Sequence, residues 1–155
     1  MQQTKYLAVM KVSLIRCDQR GNPVQSIPDM NEELIANCQV TADLYRRVGY
    51  VEPWVGYVAV VNGRGVGGGA FVGPPIDSCV EIAYFTLVEQ RGHGCASQTA
   101  TALVAIARAR DPKVKLKAFT LKEENPSTRI LRRLGFELAG IAHDSDEGEV
   151  WEWRA

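Results

Sequence analysis

Paired cysteines are missing from this chain. Cys17, Cys38, Cys79 and Cys95 are its four cysteines; none forms a C-x-x-C pair, and their gaps suit neither a zinc site nor a disulfide framework. They read as reduced thiols, which points to a cytoplasmic protein. Net charge is missing too, because 18 Lys and Arg balance 18 Asp and Glu. A protein whose main partner is a nucleic-acid backbone carries a basic excess or stripe. Here no basic run is longer than Arg132-Arg133, so no nucleic acid is expected. No apolar run approaches the ~18–20 residues needed to span a bilayer, so no membrane is expected. Met1-Gln2-Gln3 lacks the basic n-region of a secretory signal, and no long apolar stretch follows it.

The chain does have the material for one packed core. It is 155 residues long, 46% hydrophobic and 23% charged, which is the size and make-up of one domain over 1–155. Tyr6 to Ile15 reads as a strand, and Arg20-Gly21-Asn22-Pro23 as a turn. Asp29 is the expected N-cap of a helix whose apolar positions run from Met30 to Val48, with Gly49 ending it. Trp54 to Val61 and Val66 to Val72 are strands joined at Asn62-Gly63, a strong hairpin signal. Cys79 to Leu87 is a third strand, expected to be central by its low polarity. A helix follows Gly92–Ala96, with Ala96, Ala100, Leu103, Val104 and Ala107 on one face, and Asp111-Pro112 ends it. Val114 to Leu121 is a strand and Ser127 to Leu134 a short helix; Phe136 to Ala142 and Glu149 to Arg154 are the final strands. The order predicts an α/β (α+β) fold with a mixed sheet containing one βαβ unit.

The segment Gln90-Arg91-Gly92-His93-Gly94-Cys95-Ala96 lies between a buried strand and a helix start. A helix N-terminus leaves about four N–H groups free, and its dipole favours an anion. Glycines at 92 and 94 let backbone N–H groups approach a diphosphate closely. A tight strand-to-helix turn would also use these glycines. A Walker loop needs G-x-x-x-x-G-K-[ST], which is absent. A dinucleotide fingerprint needs a third glycine or alanine, where Ser97 stands, and a later acid, where Lys115 and Lys117 stand. ATP and NAD are both disfavoured.

These residues resemble a known family. Arg91-x-x-Gly94-x-Ala96 is similar to the Arg/Gln-x-x-Gly-x-Gly/Ala signature with which GNAT acetyltransferases cradle the pyrophosphate of acetyl-CoA. Glu81-Ile82-Ala83-Tyr84-Phe85 resembles the family's central strand. Asn125 to Leu131, followed by Leu134-Gly135-Phe136, resembles its later CoA-contacting helix and strand. The order and spacing are those of the branch that includes ribosomal-protein-alanine acetyltransferases. The resemblance holds from about Trp54 onward and is weak before Asp29. It implies a GNAT fold: a mostly antiparallel twisted sheet of 6–7 strands flanked by helices. It also implies acetyl-CoA as cofactor, held by Arg91, Gly92, His93, Gly94, Cys95 and Ala96. Many relatives carry a tyrosine four residues before the glycine of the Leu-Gly-Phe block as a general acid. Leu131 stands there, so a general acid comes from elsewhere or the thiolate leaves unaided.

The implied chemistry is acetyl transfer from a thioester to a primary amine of a small molecule or a protein N-terminus. A catalytically silent acyl-CoA-binding module is the alternative. Glu81 is the candidate general base, because burial in an otherwise apolar strand would raise its pKa; a structural glutamate is the plain alternative. By resemblance, a backbone N–H among Phe85, Thr86 and Leu87 would hold the thioester oxygen. Asn125 and Ser127 would contact the pantetheine arm or the thiol, or else cap a helix. Cys95 at a helix N-terminus is expected to have a lowered thiol pKa. His93 and His143 read as exposed loop residues, with no metal expected. Trp54 and Tyr57 would line an acceptor pocket or pack in the core. The exposed sheet edge and apolar final hairpin suggest a homodimer.

Overall fold

The computed structural model describes residues 11–155. Its strands are β1 (Ser13–Arg16), β2 (Gly56–Val61), β3 (Arg64–Phe71), β4 (Cys79–Thr86), β5 (Lys115–Leu121), β6 (Glu137–Asp144) and β7 (Gly148–Arg154). Its helices are α1 (Glu32–Val48), α2 (Cys95–Arg110) and α3 (Pro126–Arg133). The strands form one seven-stranded sheet in the order β1-β2-β3-β4-β5-β7-β6. Every neighbouring pair is antiparallel except β4 and β5. This is the expected α+β architecture, with β4–α2–β5 as its βαβ unit. Of the first predicted strand, residues 6–10 lie outside the described residues, and the strand that forms runs to Arg16.

Local chemistry sets most of the element ends. Asn62 and Gly63 both have positive φ, 51° and 78°, so the β2–β3 hairpin turns as that pair predicts. The start of α1 needs correction. Asp29 sits at φ 58°, and the cap is Asn31, whose side chain accepts from the Leu34 N–H. Asn31 lies one residue before Glu32, where its oxygen reaches an N–H of the first turn.

The two faces of the sheet carry separate clusters. Phe71, Val80, Ile82, Leu116 and Trp153 pack against Leu103 and Ala107 of α2 and Leu131 of α3, all at most 1% exposed. Beneath α1, Val58 and Val60 meet Cys17, Ile27 and Cys38. Trp54 stacks edge-on to Phe71 at 5.2 Å, so it and Tyr57 belong to the core rather than to an acceptor pocket. Gly69 lets α2 lie close to the sheet: a Cβ there would come within 2.8 Å of Leu103 and 3.0 Å of Thr99.

The parallel pair does not run its full length. Cys79 pairs with Lys115, Val80 with Leu116 and Glu81 with Lys117, and there the pairing stops. Yet β4 continues to Thr86 and β5 to Leu121. The two strands part beyond Glu81, and a wedge opens in the middle of the sheet.

Candidate active site

The wedge leads into a cleft of about 690 Å³. Tyr84, Phe85 and Thr86 line it from β4, Gln90 to Gly92 and Gly94 to Ser97 from the loop and the start of α2. Leu121, Asn125 to Ser127, Arg129, Ile130 and Arg133 line it from the other side. So the structure gathers Phe85, Thr86, Arg91, Gly92, Gly94, Cys95, Ala96, Asn125 and Ser127 around one space. Leu87 and His93 are not among its lining residues: Leu87 is buried at 2% exposure, and His93 is exposed.

Two helix N-termini face the cleft. Gly94 is the N-cap of α2, in the left-handed conformation at φ 78°, and no side chain caps the helix. A Cβ at Gly92 or Gly94 would meet nothing of the protein within 4 Å, so both positions border open space. The N-terminus of α3 is closed by its own side chains. Asn125 accepts from the Thr128 N–H at 3.0 Å, and Thr128 accepts from the Asn125 N–H at 3.1 Å. This is a complete capping box, so the Asn125 oxygen is spent locally. Arg91, Arg129 and Arg133 also line the cleft, and none takes part in an ion pair among the described residues.

The wall formed by β4 is polar in a specific way. In an antiparallel pair the backbone groups point alternately toward and away from the partner. Leu87 donates its N–H to Val66 at 2.8 Å, and Val72 donates to Glu81 at 2.9 Å, which fixes the alternation. Phe85 therefore bonds to β3, while the N–H groups of Tyr84 and Thr86 point into the wedge. The expected oxyanion donor thus narrows: the N–H groups of Phe85 and Leu87 are engaged by β3, and that of Thr86 is directed to the cleft. The hydroxyls of Tyr84 and Thr86 are both buried without a hydrogen-bond partner among the described residues.

One expectation about a side chain is overturned. Cys95 is 4% exposed, and burial pushes its thiol above its ordinary pKa, against the lowering expected from the helix end. Leu131 turns into the core at 1% exposure, while Ile130 faces the cleft. Position 131 therefore presents no group to the cleft.

Glu81 stands at the last β4–β5 pair. Its neighbours Val80 and Ile82 face α2, so Glu81 points to the opposite face, as alternation along a strand requires. Burial raises its pKa above the ordinary carboxylate value; Lys117 opposes this, while Asp144 and Glu152 add to it. The carboxylate does not line the cleft itself. It borders the closed end of the wedge from the other side.

Residues 11–137 match the acetyltransferase (GNAT) domain family. The chain belongs to this family. GNAT enzymes use acetyl-CoA as cofactor, and this chain is accordingly an N-acetyltransferase. Its fold is similar to that of RimL, a ribosomal L7/L12 alpha-N-protein acetyltransferase solved in complex with coenzyme A. The TM-score is 0.67 and the identity 20%, over 94% of this chain and 93% of that one. It is also similar to an N-acetyltransferase from Staphylococcus aureus Mu50, at TM-score 0.62 and 17% identity over 94% and 98%. The aminoglycoside acetyltransferase AAC(6')-Ib, in complex with coenzyme A, matches at TM-score 0.55 and 21% identity over 65% of each chain. No curated protein sequence matches the chain.

The GNAT cofactor fits the cleft on chemical grounds. An uncapped helix start, open space above two glycines and three arginines without an ion pair among the described residues suit a polyanion at one end. Unpartnered hydroxyls and inward N–H groups suit an amide-bearing thioester arm at the other.

Proposed function

We propose that this GNAT enzyme acetylates a primary amine of a small molecule or of a protein N-terminus, with Glu81 as its general base. The observation that carries the reading is a desolvated carboxylate at the point where β4 and β5 separate. Acetyl-CoA supplies an activated acyl carbon. The loop from Arg91 to Ala96 would hold its diphosphate on the N–H groups of α2. The Thr86 N–H would polarise the carbonyl, and Glu81, directly or through water, would accept the proton of the attacking amine.

The amine must be neutral to attack. An α-amino group with pKa about 8 is ~10% neutral at pH 7, and a lysine amine of about 10.4 is ~0.04% neutral. The deprotonation cost is roughly 1.4 kcal/mol in the first case and 4.6 kcal/mol in the second. An α-amine acceptor, as in the alpha-N-protein acetyltransferase RimL, therefore asks least of the base. An aminoglycoside amine, as the name of AAC(6')-Ib implies, is the small-molecule counterpart.

The test is Glu81→Gln, assayed by thiol release from acetyl-CoA against a panel of amines. The rate should fall by about 10²–10⁴-fold with acetyl-CoA binding unchanged, and the deficit should shrink at high pH. Because the carboxyl pKa is raised, the wild-type rate should fall with acid at a pH above the ordinary carboxylate range. Full activity of the variant at neutral pH would move the base elsewhere, with Asp77 or the carboxylates of the 144–147 turn next to test. Two further parts of the proposal are its setting and assembly. Four free cysteines suit a reducing cytoplasm. Exposed Leu138 and Ile141 on the terminal strand β6 suit a homodimer, which a monomeric mass in light scattering at ~100 μM would refute.

A further inference from the structure

We propose that the Tyr84 hydroxyl is the hydrogen-bond donor to the cofactor's sulfur, acting from β4 where α3 offers nothing at Leu131. The inference rests on the acetyl-CoA reading of the cleft. Tyr84 is the cleft-lining residue of β4 nearest the closed end of the wedge. The diphosphate end lies at the loop after Gln90, so an extended cofactor places its acyl end toward Tyr84. The hydroxyl is buried and has no hydrogen-bond partner among the described residues. A buried hydroxyl left without a partner is costly, and such a group in a ligand cleft marks where a ligand atom completes the bond. Ser127 approaches the same hydroxyl from α3, close enough to offset part of the effect of burial.

The donor works without giving up its proton. Burial lifts the Tyr84 hydroxyl to about 12, so it stays protonated while a thiol of pKa about 8.5 ionises. As the nitrogen–carbon bond forms, the carbon–sulfur bond breaks and its electron pair stays on sulfur. Tyr84 steadies that charge through its O–H. Water, not Tyr84, supplies the proton that ends on sulfur, and the proton lost by the amine leaves through Glu81. Tyr84 is therefore a stabilising donor and not a general acid.

The test needs no acceptor. Calorimetry would measure the binding of CoA and of desulfo-CoA, which lacks the sulfur, to the wild-type chain and to Tyr84→Phe at pH 7 and pH 9. The wild type should prefer CoA by about 3–10-fold at pH 7 and by more at pH 9, as the thiol ionises and the bond becomes charge-assisted. Tyr84→Phe should erase that preference and leave desulfo-CoA binding within about 2-fold. Its ligand-free melting temperature should equal or exceed that of the wild type, because the substitution removes an unpartnered buried hydroxyl. Equal weakening of both ligands, an intact preference for CoA, or a variant that fails to fold would each overturn the proposal. If the wild type binds neither ligand, the acetyl-CoA reading fails instead.

Discussion

The N-termini of α2 and α3 open onto the same cleft but are finished in opposite ways. At α2 a left-handed glycine turns the chain and no side chain takes up the first N–H groups. At α3 Asn125 and Thr128 satisfy each other, and Glu124 reaches both the Thr128 hydroxyl and Arg132. Both helices carry the same dipole, but at α3 the box takes up the Asn125 and Thr128 N–H groups and Pro126 has none, so α2 offers the larger set of free donors. The difference separates an open helix start from one closed by its own side chains. On the proposed reading the anion goes to α2, and α3 holds the opposite wall in place.

The comparison breaks most sharply at Gly94. Gly94→Val puts a β-branched side chain at φ 78° and into the space above the α2 N–H groups. CoA affinity should fall by at least ~100-fold, about 2.7 kcal/mol. Stability should fall by about 1–3 kcal/mol from the strained backbone. Calorimetry, with circular dichroism to confirm folding, checks both. An unchanged affinity in a folded variant would take the anion away from α2.

Asn125→Ala probes the other helix. Loss of an N-cap side chain costs about 1 kcal/mol, read as a lower midpoint in denaturant. CoA affinity should change by less than about 3-fold, since the cap oxygen is already occupied. A larger affinity loss with unchanged stability would reverse the roles given to the two helices. Arg133→Ala should weaken CoA binding by about 3-fold at low salt and less at high salt, because an exposed cation acting on a phosphate is screened. Salt-independent loss would mean that the arginine acts by packing.

The smallest effect is a titration. Arg132, and then Thr128, hold the Glu124 carboxyl well below its ordinary value of 4.5, at about 2. A depressed carboxylate contributes stability above its unfolded pKa and loses it as pH falls through the folded one. The support that Glu124 gives α3 should therefore fade between about pH 4.5 and 2. NMR titration of the Glu124 carboxyl would show it; a midpoint at the ordinary value would mean that the Arg132 pair is not formed in solution.

The same contrast explains what was legible beforehand. The loop from Arg91 to Ala96 and the hairpin at Asn62-Gly63 were readable because glycine and turn chemistry act over a few residues. The start of α1 was misplaced by two residues because Asp29 and Asn31 are both good caps. The finished fold puts Asp29 in a left-handed turn and gives the cap to Asn31. Cys95 was misjudged because its helix end is visible in sequence while its burial is not. In sequence Tyr84 carries no signal beyond its place in the central strand. Its importance depends on the direction of its hydroxyl and on Leu131 facing away, and both arise from tertiary packing.

The parting of β4 and β5 also bears on how the chain behaves when empty. An unpaired strand edge is a template for another strand, and folded chains usually blunt such edges at the rim of a sheet. Here two edges are bared in the interior, and they converge on the closed pair of Glu81 and Lys117. A narrowing slot between two walls admits a slender, unbranched molecule far more readily than a polypeptide with side chains on both faces. The wedge thus filters what can add to the sheet by width, and a cofactor lying in it would cover both bared edges.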